Sequence, residues 1–154
     1  MIKALIDSAL ILEALESTTK TDALNEILQR AAAAGRLQKK DVSALKKRLA
    51  EREALGSTGI GNGVAVPHVK GKEIKQLALV LARAPQGIPF QAIDGRPVMT
   101  LFLILAPQDQ PEAHLQALRW VSSLARNADF RRFVLAARSE TEIRELLHEL
   151  GSRP

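Results

Sequence analysis

Two stretches decide the fold class of this chain: QLALVLAR at Gln76–Arg83 and VMTLFLILA at Val98–Ala106. Both are apolar on their two alternating faces, whereas a strand with one face in water alternates apolar and polar residues. We therefore predict two central strands that helices cover on both sides. The segment between them, Ala84–Pro97, contains three prolines and two glycines, and we expect a long irregular connection there.

The N-terminal half combines short strands with two helices. We predict brief strands in Ala9–Leu15 and Val64–Val66. The first helix has Thr21 or Asp22 as its N-cap and ends at Gly35, and the second begins at Asp41. The second helix buries Val42, Leu45 and Leu49 and turns its basic residues towards water or a partner: Lys39, Lys40, Lys46, Lys47 and Arg48.

The C-terminal third predicts three further helices. Pro111 suits the first helical position, Asp129 is the expected cap of the next helix, and Ser139 with Glu142 forms a capping box for the last, which ends at Gly151. Helices before and after the strands indicate an α/β fold. The predicted architecture is a three-layer α/β/α sandwich with a small mixed sheet flanked by helices.

Length and composition restrict the class of protein. The 154 residues suit one domain, residues 1–154, with one sizeable core. The longest apolar runs fall far short of the roughly 20 residues of a membrane span, so we expect no membrane insertion. There is no cysteine and no pattern of an export signal, which excludes disulfides and thiolate metal sites and favours the cytoplasm.

The net charge of +5 and the pI of about 9.9 leave several partners open, namely nucleic acid, anionic lipid or an acidic protein. Aromatic residues are only 3% of the chain and tyrosine is absent, although aromatic side chains commonly stack on single-stranded bases. The basic residues also alternate with acids on the predicted helices. We therefore expect no nucleic-acid partner.

The three histidines are the first candidates for a nucleophile or phosphoryl carrier near neutral pH. His148 lies in the last turn of a helix, where a structural role is expected. His68 ends the segment GSTGIGNGVAVPH, Gly56–His68, whose glycines allow backbone N–H groups to hold a phosphate beside the imidazole. A flexible glycine turn followed by an incidental histidine is the alternative, and spacing alone leaves both open.

His114 is expected in the first turn of the helix that Pro111 begins. The helix dipole there disfavours a charged imidazole, so we predict a neutral ring that donates one N–H to a phosphoryl oxygen or to His68. The alternative is a histidine that merely packs beneath the loop at Gly56–Gly63.

The segment REALGSTGIGNGVAVPH, Arg52–His68, resembles the phosphohistidine motif of the IIA components of the bacterial phosphoenolpyruvate-dependent phosphotransferase system. The similarity is to the fructose/mannitol type, and within it to the nitrogen-regulatory branch. It continues through Ala92–Val98, Leu105–Gln110 and His114, and so spans essentially the whole chain.

The resemblance implies three site residues. His68 would accept a phosphoryl group from an HPr-like phosphocarrier protein, Arg52 matches an arginine beside the site, and His114 matches a second active-site histidine. No cofactor and no metal are implied. The chain departs from the family pattern at Val69, where a glycine is usual, and at Pro89 and Gln91, where many relatives carry acids. Val69 predicts a different turn after the site, and all three bear on the choice of partner.

Three functions fit these residues. The first is a regulatory IIA protein of nitrogen or other metabolism, whose phosphorylated and free forms bind different target proteins. The second is a stand-alone IIA subunit that passes phosphate to a IIB component for fructose/mannitol-type sugar uptake. The third is a protein-binding module that accepts no phosphate and acts through its basic second helix, although the presence of both His68 and His114 argues against it.

Overall fold

The computed structural model describes residues 1–151, which form a mixed sheet between two layers of helices. The N-terminal elements are α1 (Ile2–Asp7), β1 (Leu10–Leu12), α2 (Lys20–Ala33), a 3₁₀ turn (Lys39–Asp41) and α3 (Val42–Ala54). The strands that follow are β2 (Gly59–Gly61), β3 (Val64–Ala65), β4 (His68–Gly71), β5 (Ala78–Ile88) and β6 (Val98–Pro107). The C-terminal helices are α4 (Pro111–Arg126), α5 (Ala128–Ala136) and α6 (Glu140–Gly151).

The sheet of the described residues has the order β1-β5-β6-β3-β2, and β4 pairs with β6 beyond the end of β3. β5 and β6 are antiparallel, with Val80 opposite Leu103, and β2 is antiparallel to β3. β1 lies parallel to β5, and β3 and β4 lie parallel to β6. The sheet is therefore mixed, as predicted.

Alternate residues of the two central strands enter two separate cores, because successive side chains of a strand point to opposite faces. Val80 and Leu103 pack with α2 and α3 on one face. Leu81 and Phe102 pack with α1, α4, α5 and α6 on the other. The three-layer α/β/α architecture is confirmed, and the fully apolar stretches are explained by burial on both sides.

Pro67 separates β3 from β4, which otherwise follow each other along β6. β3 pairs with β6 at Thr100 and Leu101, and β4 resumes at Ile104. Proline has no N–H to give to a ladder, but the Pro67 carbonyl accepts a hydrogen bond from the Ile104 N–H at 3.0 Å. This break places His68 at the start of a strand on the edge of the sheet.

Two predicted helix caps were wrong. The cap of α2 is Thr19, whose hydroxyl accepts from the Asp22 N–H at 3.2 Å, rather than Thr21 or Asp22. The cap of α5 is Asn127, whose side chain accepts from the Phe130 N–H at 3.0 Å, rather than Asp129. In both cases the working cap is the polar residue three positions before a free N–H.

The structure also changes some of the predicted boundaries. The N-terminal helix α1 was not predicted, and β5 continues to Ile88 with an irregular register after Arg83, so the irregular connection before β6 is residues 89–97. One half of the predicted capping box of α6 is present, with the Glu142 N–H donating to the Ser139 hydroxyl at 3.2 Å. The Glu142 carboxylate accepts from the Arg138 N–H at 2.7 Å, one residue before the expected Ser139. None of the helices within residues 1–151 has the length and apolar character of a membrane span. The cytoplasmic location stays a prediction.

Candidate functional site

A cavity of about 360 Å³ opens at the edge strand β4, where both helix layers reach past the sheet. α3 contributes two arginines from one layer, α4 contributes a histidine from the other, and β4 supplies three consecutive residues. The lining residues are Arg48, Arg52, His68, Val69, Lys70 and His114. The cavity therefore combines two imidazoles with three cations and no carboxylate, which suits an anionic group.

His68 is half-buried, and one hydrogen bond defines its tautomer. Its Nδ1 lies 2.9 Å from the carbonyl oxygen of Val66. Because a carbonyl oxygen can only accept, Nδ1 must carry the proton. In the neutral ring, Nε2 then holds the free lone pair and is the nucleophilic atom.

His114 lies against His68, with the two ring centroids 5.5 Å apart and the rings inclined by 66°. Its Nε2 is buried and has no hydrogen-bond partner among residues 1–151. Burial lowers the pKa of His114 below its ordinary value, and electrostatic interaction with His68 and Lys70 lowers it further. The ring is therefore neutral at neutral pH, and burial is the largest of these causes.

Arg52 lies in the last turn of α3, where its Nη1 donates to the Gly56 carbonyl oxygen at 2.7 Å. This bond anchors the guanidinium at the cavity and leaves its other N–H groups available. One turn earlier, Arg48 is paired with Glu73. The expectation that Arg48 faces only water or a partner was wrong, because this ion pair ties α3 to the segment after β4.

The glycine loop has a different role from the one predicted. Two of its N–H groups already bind carboxylates of the chain: Thr58 donates to Glu53 Oε1 at 3.0 Å, and Asn62 donates to Asp94 Oδ2 at 2.9 Å. Residues 56–63 are absent from the lining of the His68 cavity. The loop is therefore held in shape by internal anions and does not form the wall of the site.

Comparison with known proteins identifies the family. The model of the family described as "Phosphoenolpyruvate-dependent sugar phosphotransferase system, EIIA 2" matches residues 4–150. The chain belongs to this EIIA family.

Relatives of the EIIA family occur as separate proteins and as parts of larger ones. The chain is 36% identical over 146 residues to a nitrogen regulatory protein of Bradyrhizobium diazoefficiens, covering 95% of this chain and 94% of the relative. It is 32% identical over 135 residues to the fructose-specific EIIABC component of Bacillus subtilis, covering 88% of this chain but only 21% of that relative.

A solved EIIA-type structure confirms the fold. The crystal structure of the nitrogen regulatory protein IIA-Ntr from Neisseria meningitidis superimposes with a TM-score of 0.78 at 30% identity. The superposition covers 95% of this chain and 98% of that one.

The three residues that depart from the EIIA pattern lie in β4 and in the connection after β5. Val69 lies buried within β4, so the chain continues as a strand after His68 instead of turning, and a β-branched residue suits that position. Whether this path differs from that of relatives with a glycine at this position stays a prediction. Pro89 and Gln91 lie in the connection after β5, and Gln91 has a φ of 53°. Their effect on partner choice stays a prediction.

His148 lies apart from the cavity. Its Nε2 is 2.7 Å from Asp7 Oδ1, which joins α6 to α1, as a structural role requires. Among residues 1–151, no group of three His, Asp or Glu side chains could hold a metal ion.

Sequence reasoning missed two residues that belong to the site's surroundings. Lys70 shares the face of His68, because residues two apart in a strand point the same way, and the strand period could have revealed it. Glu73 lies in a segment without periodicity, so its pairing with Arg48 had no signal in the sequence.

Proposed function

We propose that this EIIA-family chain is a phosphocarrier that accepts a phosphoryl group on Nε2 of His68 from an HPr-like protein. One observation carries the proposal: the Nδ1–H of His68 is held by the Val66 carbonyl at 2.9 Å, which leaves Nε2 unprotonated in a cavity lined by three cations. Phosphoryl transfer depends on such positioning and on positive charge near the phosphoryl oxygens.

The transfer step is a displacement at phosphorus. The lone pair of His68 Nε2 forms the new N–P bond, while the N–P bond of the donor's phosphohistidine breaks and its electron pair stays on the donor's ring nitrogen. The proton stays on His68 Nδ1 and keeps its hydrogen bond to the Val66 carbonyl oxygen. The Arg52 guanidinium and the Lys70 ammonium lower the energy of the charge on the equatorial oxygens.

His114 assists without carrying the phosphate in this proposal. A neutral imidazole whose Nε2 is buried and unpartnered can donate an N–H to a phosphoryl oxygen that enters the cavity. The bond would satisfy a polar atom that otherwise lacks one, so it forms at little cost.

The regulatory role is favoured over sugar uptake. The support is sequence similarity: nitrogen regulatory proteins match at 36% to 42% identity, and a fructose-specific EIIA component of Haloferax volcanii matches at 36%. The proposed partners are an HPr-like donor and a regulated target protein. A IIB component that receives phosphate for sugar uptake is the second candidate, and transfer of labelled phosphate from the chain to a fructose-type IIB protein would favour it.

Incubation with phosphoenolpyruvate, Enzyme I and an HPr-like carrier tests the proposal by intact-protein mass. We expect one added phosphoryl group that is labile in acid and stable in base. The variant His68→Ala should lose it, whereas His148→Gln should keep it. Undiminished labelling of His68→Ala would refute the assignment, and a wild-type chain that stays unlabelled would point to the binding module instead.

A further inference from the structure

We propose that Arg48 is a second phosphoryl-binding arginine, which Glu73 presents to the His68 cavity. The inference rests on the proposed phosphorylation of His68 and adds a binding group that the family motif in Arg52–His68 does not contain. It is built from the geometry of the Arg48–Glu73 pair, from the position of Arg48 on α3 and from the space left by Gly71.

The ion pair uses one edge of the guanidinium. Arg48 Nη1 donates to Glu73 Oε1 at 3.0 Å and Nη2 donates to Glu73 Oε2 at 2.5 Å, so both terminal nitrogens contact one carboxylate. The second hydrogen of Nη1 points towards the Lys70 carbonyl oxygen, at 3.4 Å. Arginine has five N–H groups in a planar fork.

The other edge of Arg48 remains available. The Nε–H and the second Nη2–H form this edge, and neither has a partner in the part of the chain that the structure describes. Two adjacent parallel N–H groups match two oxygens of a phosphoryl group. Arg48 can therefore bind phosphate on this edge while Glu73 holds the adjacent one.

The position of Arg48 on α3 places its side chain at the cavity. Arg48 and Arg52 are four residues apart on α3, which places them on one face of the helix, and both line the cavity of His68. Glu73 does not line it. The carboxylate therefore stands behind the guanidinium, where it fixes the arginine without competing at the phosphoryl position.

Gly71 makes room for this arrangement. A Cβ at position 71 would collide with Arg48 Nη1 and with Glu73 Oε1. The φ of Gly71 does not lie in the left-handed region, and both atoms end flexible side chains, so a Cβ there would shift the Arg48–Glu73 pair rather than strain the backbone. The Glu73 carboxyl has its pKa lowered, chiefly by the hydrogen bonds from Arg48, so it remains ionised near neutral pH.

The rival explanation is a purely structural tie between α3 and the segment after β4. Two measurements separate the explanations. The first is the rate at which the HPr-like donor phosphorylates His68. The second is the pH midpoint of the ³¹P chemical shift of phospho-His68, because a bound guanidinium favours the dianionic phosphoryl group and lowers its pKa. A structural tie would leave this midpoint unchanged.

Arg48→Gln and Lys47→Gln form a matched pair, since each removes one positive charge from adjacent positions of α3. Lys47 is exposed and lies outside the cavity. We expect Arg48→Gln to slow phosphorylation about ten- to hundredfold, as for a lost charge-assisted hydrogen bond, and to raise the ³¹P midpoint. Lys47→Gln should change the rate about twofold or less at physiological salt and leave the midpoint unchanged.

Glu73→Gln adds an independent test of presentation. It makes the site more positive, so a simple field effect would speed transfer. If Glu73 positions Arg48, the variant instead slows transfer several-fold while it remains folded, and Glu73→Asp recovers part of the loss. Faster transfer in Glu73→Gln would overturn the positioning role.

Equal rates and equal ³¹P midpoints in the Arg48→Gln and Lys47→Gln variants would overturn the role of Arg48. A wild-type chain that accepts no phosphate would instead refute the proposed function, and this inference would fall with it. If the wild type is phosphorylated but the Arg48→Gln substitution changes neither the rate nor the ³¹P midpoint, only the role of Arg48 fails. The two failures are therefore distinguishable.

Discussion

Replacing His114 by leucine should make the protein more stable and less active at once. The Nε2 of His114 is buried without a hydrogen-bond partner in residues 1–151, and such an atom costs about 1–3 kcal/mol. Leucine has no polar atom and a comparable volume. We therefore expect the free energy of unfolding of His114→Leu to rise by about 1 kcal/mol, after some loss of packing is allowed for.

The same substitution removes the proposed donor to the phosphoryl group. Loss of one preorganised donor slows such reactions about 10²-fold, which corresponds to about 2.7 kcal/mol of activation free energy. A quenched time course of phosphorylation by the HPr-like donor measures the rate, and urea unfolding measures the free energy of unfolding. The control is His148→Leu, which should lose about 1 kcal/mol through its bond to Asp7 and keep its rate.

The pH dependence of stability gives a second measurement on the same variant. Because the folded-state pKa of His114 lies below its ordinary value of 6.5, the unfolded chain binds more protons at pH values between the two. The wild type therefore loses stability as pH falls from about 6.5 towards the lowered pKa, by at most about 1.4 kcal/mol per pH unit. His114→Leu should lack this component. An unchanged rate, or a large fall in stability with an unchanged pH slope, would refute the reasoning.

Three further predictions concern other parts of the fold. Reversing the charge of Lys46 with Lys46→Glu should slow phosphorylation by a donor, with a loss that grows as salt is reduced, and rates indifferent to salt would exclude electrostatic docking through this part of the helix. Lys20→Met should lower the free energy of unfolding by about 3 kcal/mol, measured in urea, because it leaves Glu53 with a side chain only 6% exposed and no cation at 2.7 Å. Asn127→Ala should cost about 1 kcal/mol by the same measurement, since it removes the cap of α5.

The central strands and the layers were predictable because burial on two faces leaves an unmistakable pattern. Val98–Ala106 contains a single polar residue, and a strand covered on both faces accommodates that many apolar residues in a short segment. The caps were less predictable. Thr19, Thr21 and Asp22 are all capable caps, and the path of the chain after β1 decides which one reaches the free N–H groups.

Some features of the candidate site were likewise predictable from the sequence, and others were not. The family motif identified His68, Arg52 and His114, and the structure brings all three to one cavity. The sequence also showed a dense run of glycines, but not that carboxylates of the chain occupy its N–H groups. Contacts such as Arg48 with Glu73 join residues from different elements and depend on tertiary packing, which no local pattern encodes.

The site is assembled across the sheet edge, and this has a consequence for folding. Arg52 and His114 belong to opposite helix layers with separate cores, so their meeting at β4 requires both cores to be complete. Native proteins open in cooperative units, and edge strands with few neighbours open at lower free energy than central ones. Partial unfolding of either layer would dismantle the cavity while the other layer remained intact. If the proposed function holds, phosphorylation reports on the fully folded molecule. Conditions that abolish phosphorylation should then also speed amide exchange at Val69 and Lys70, which pair with β6.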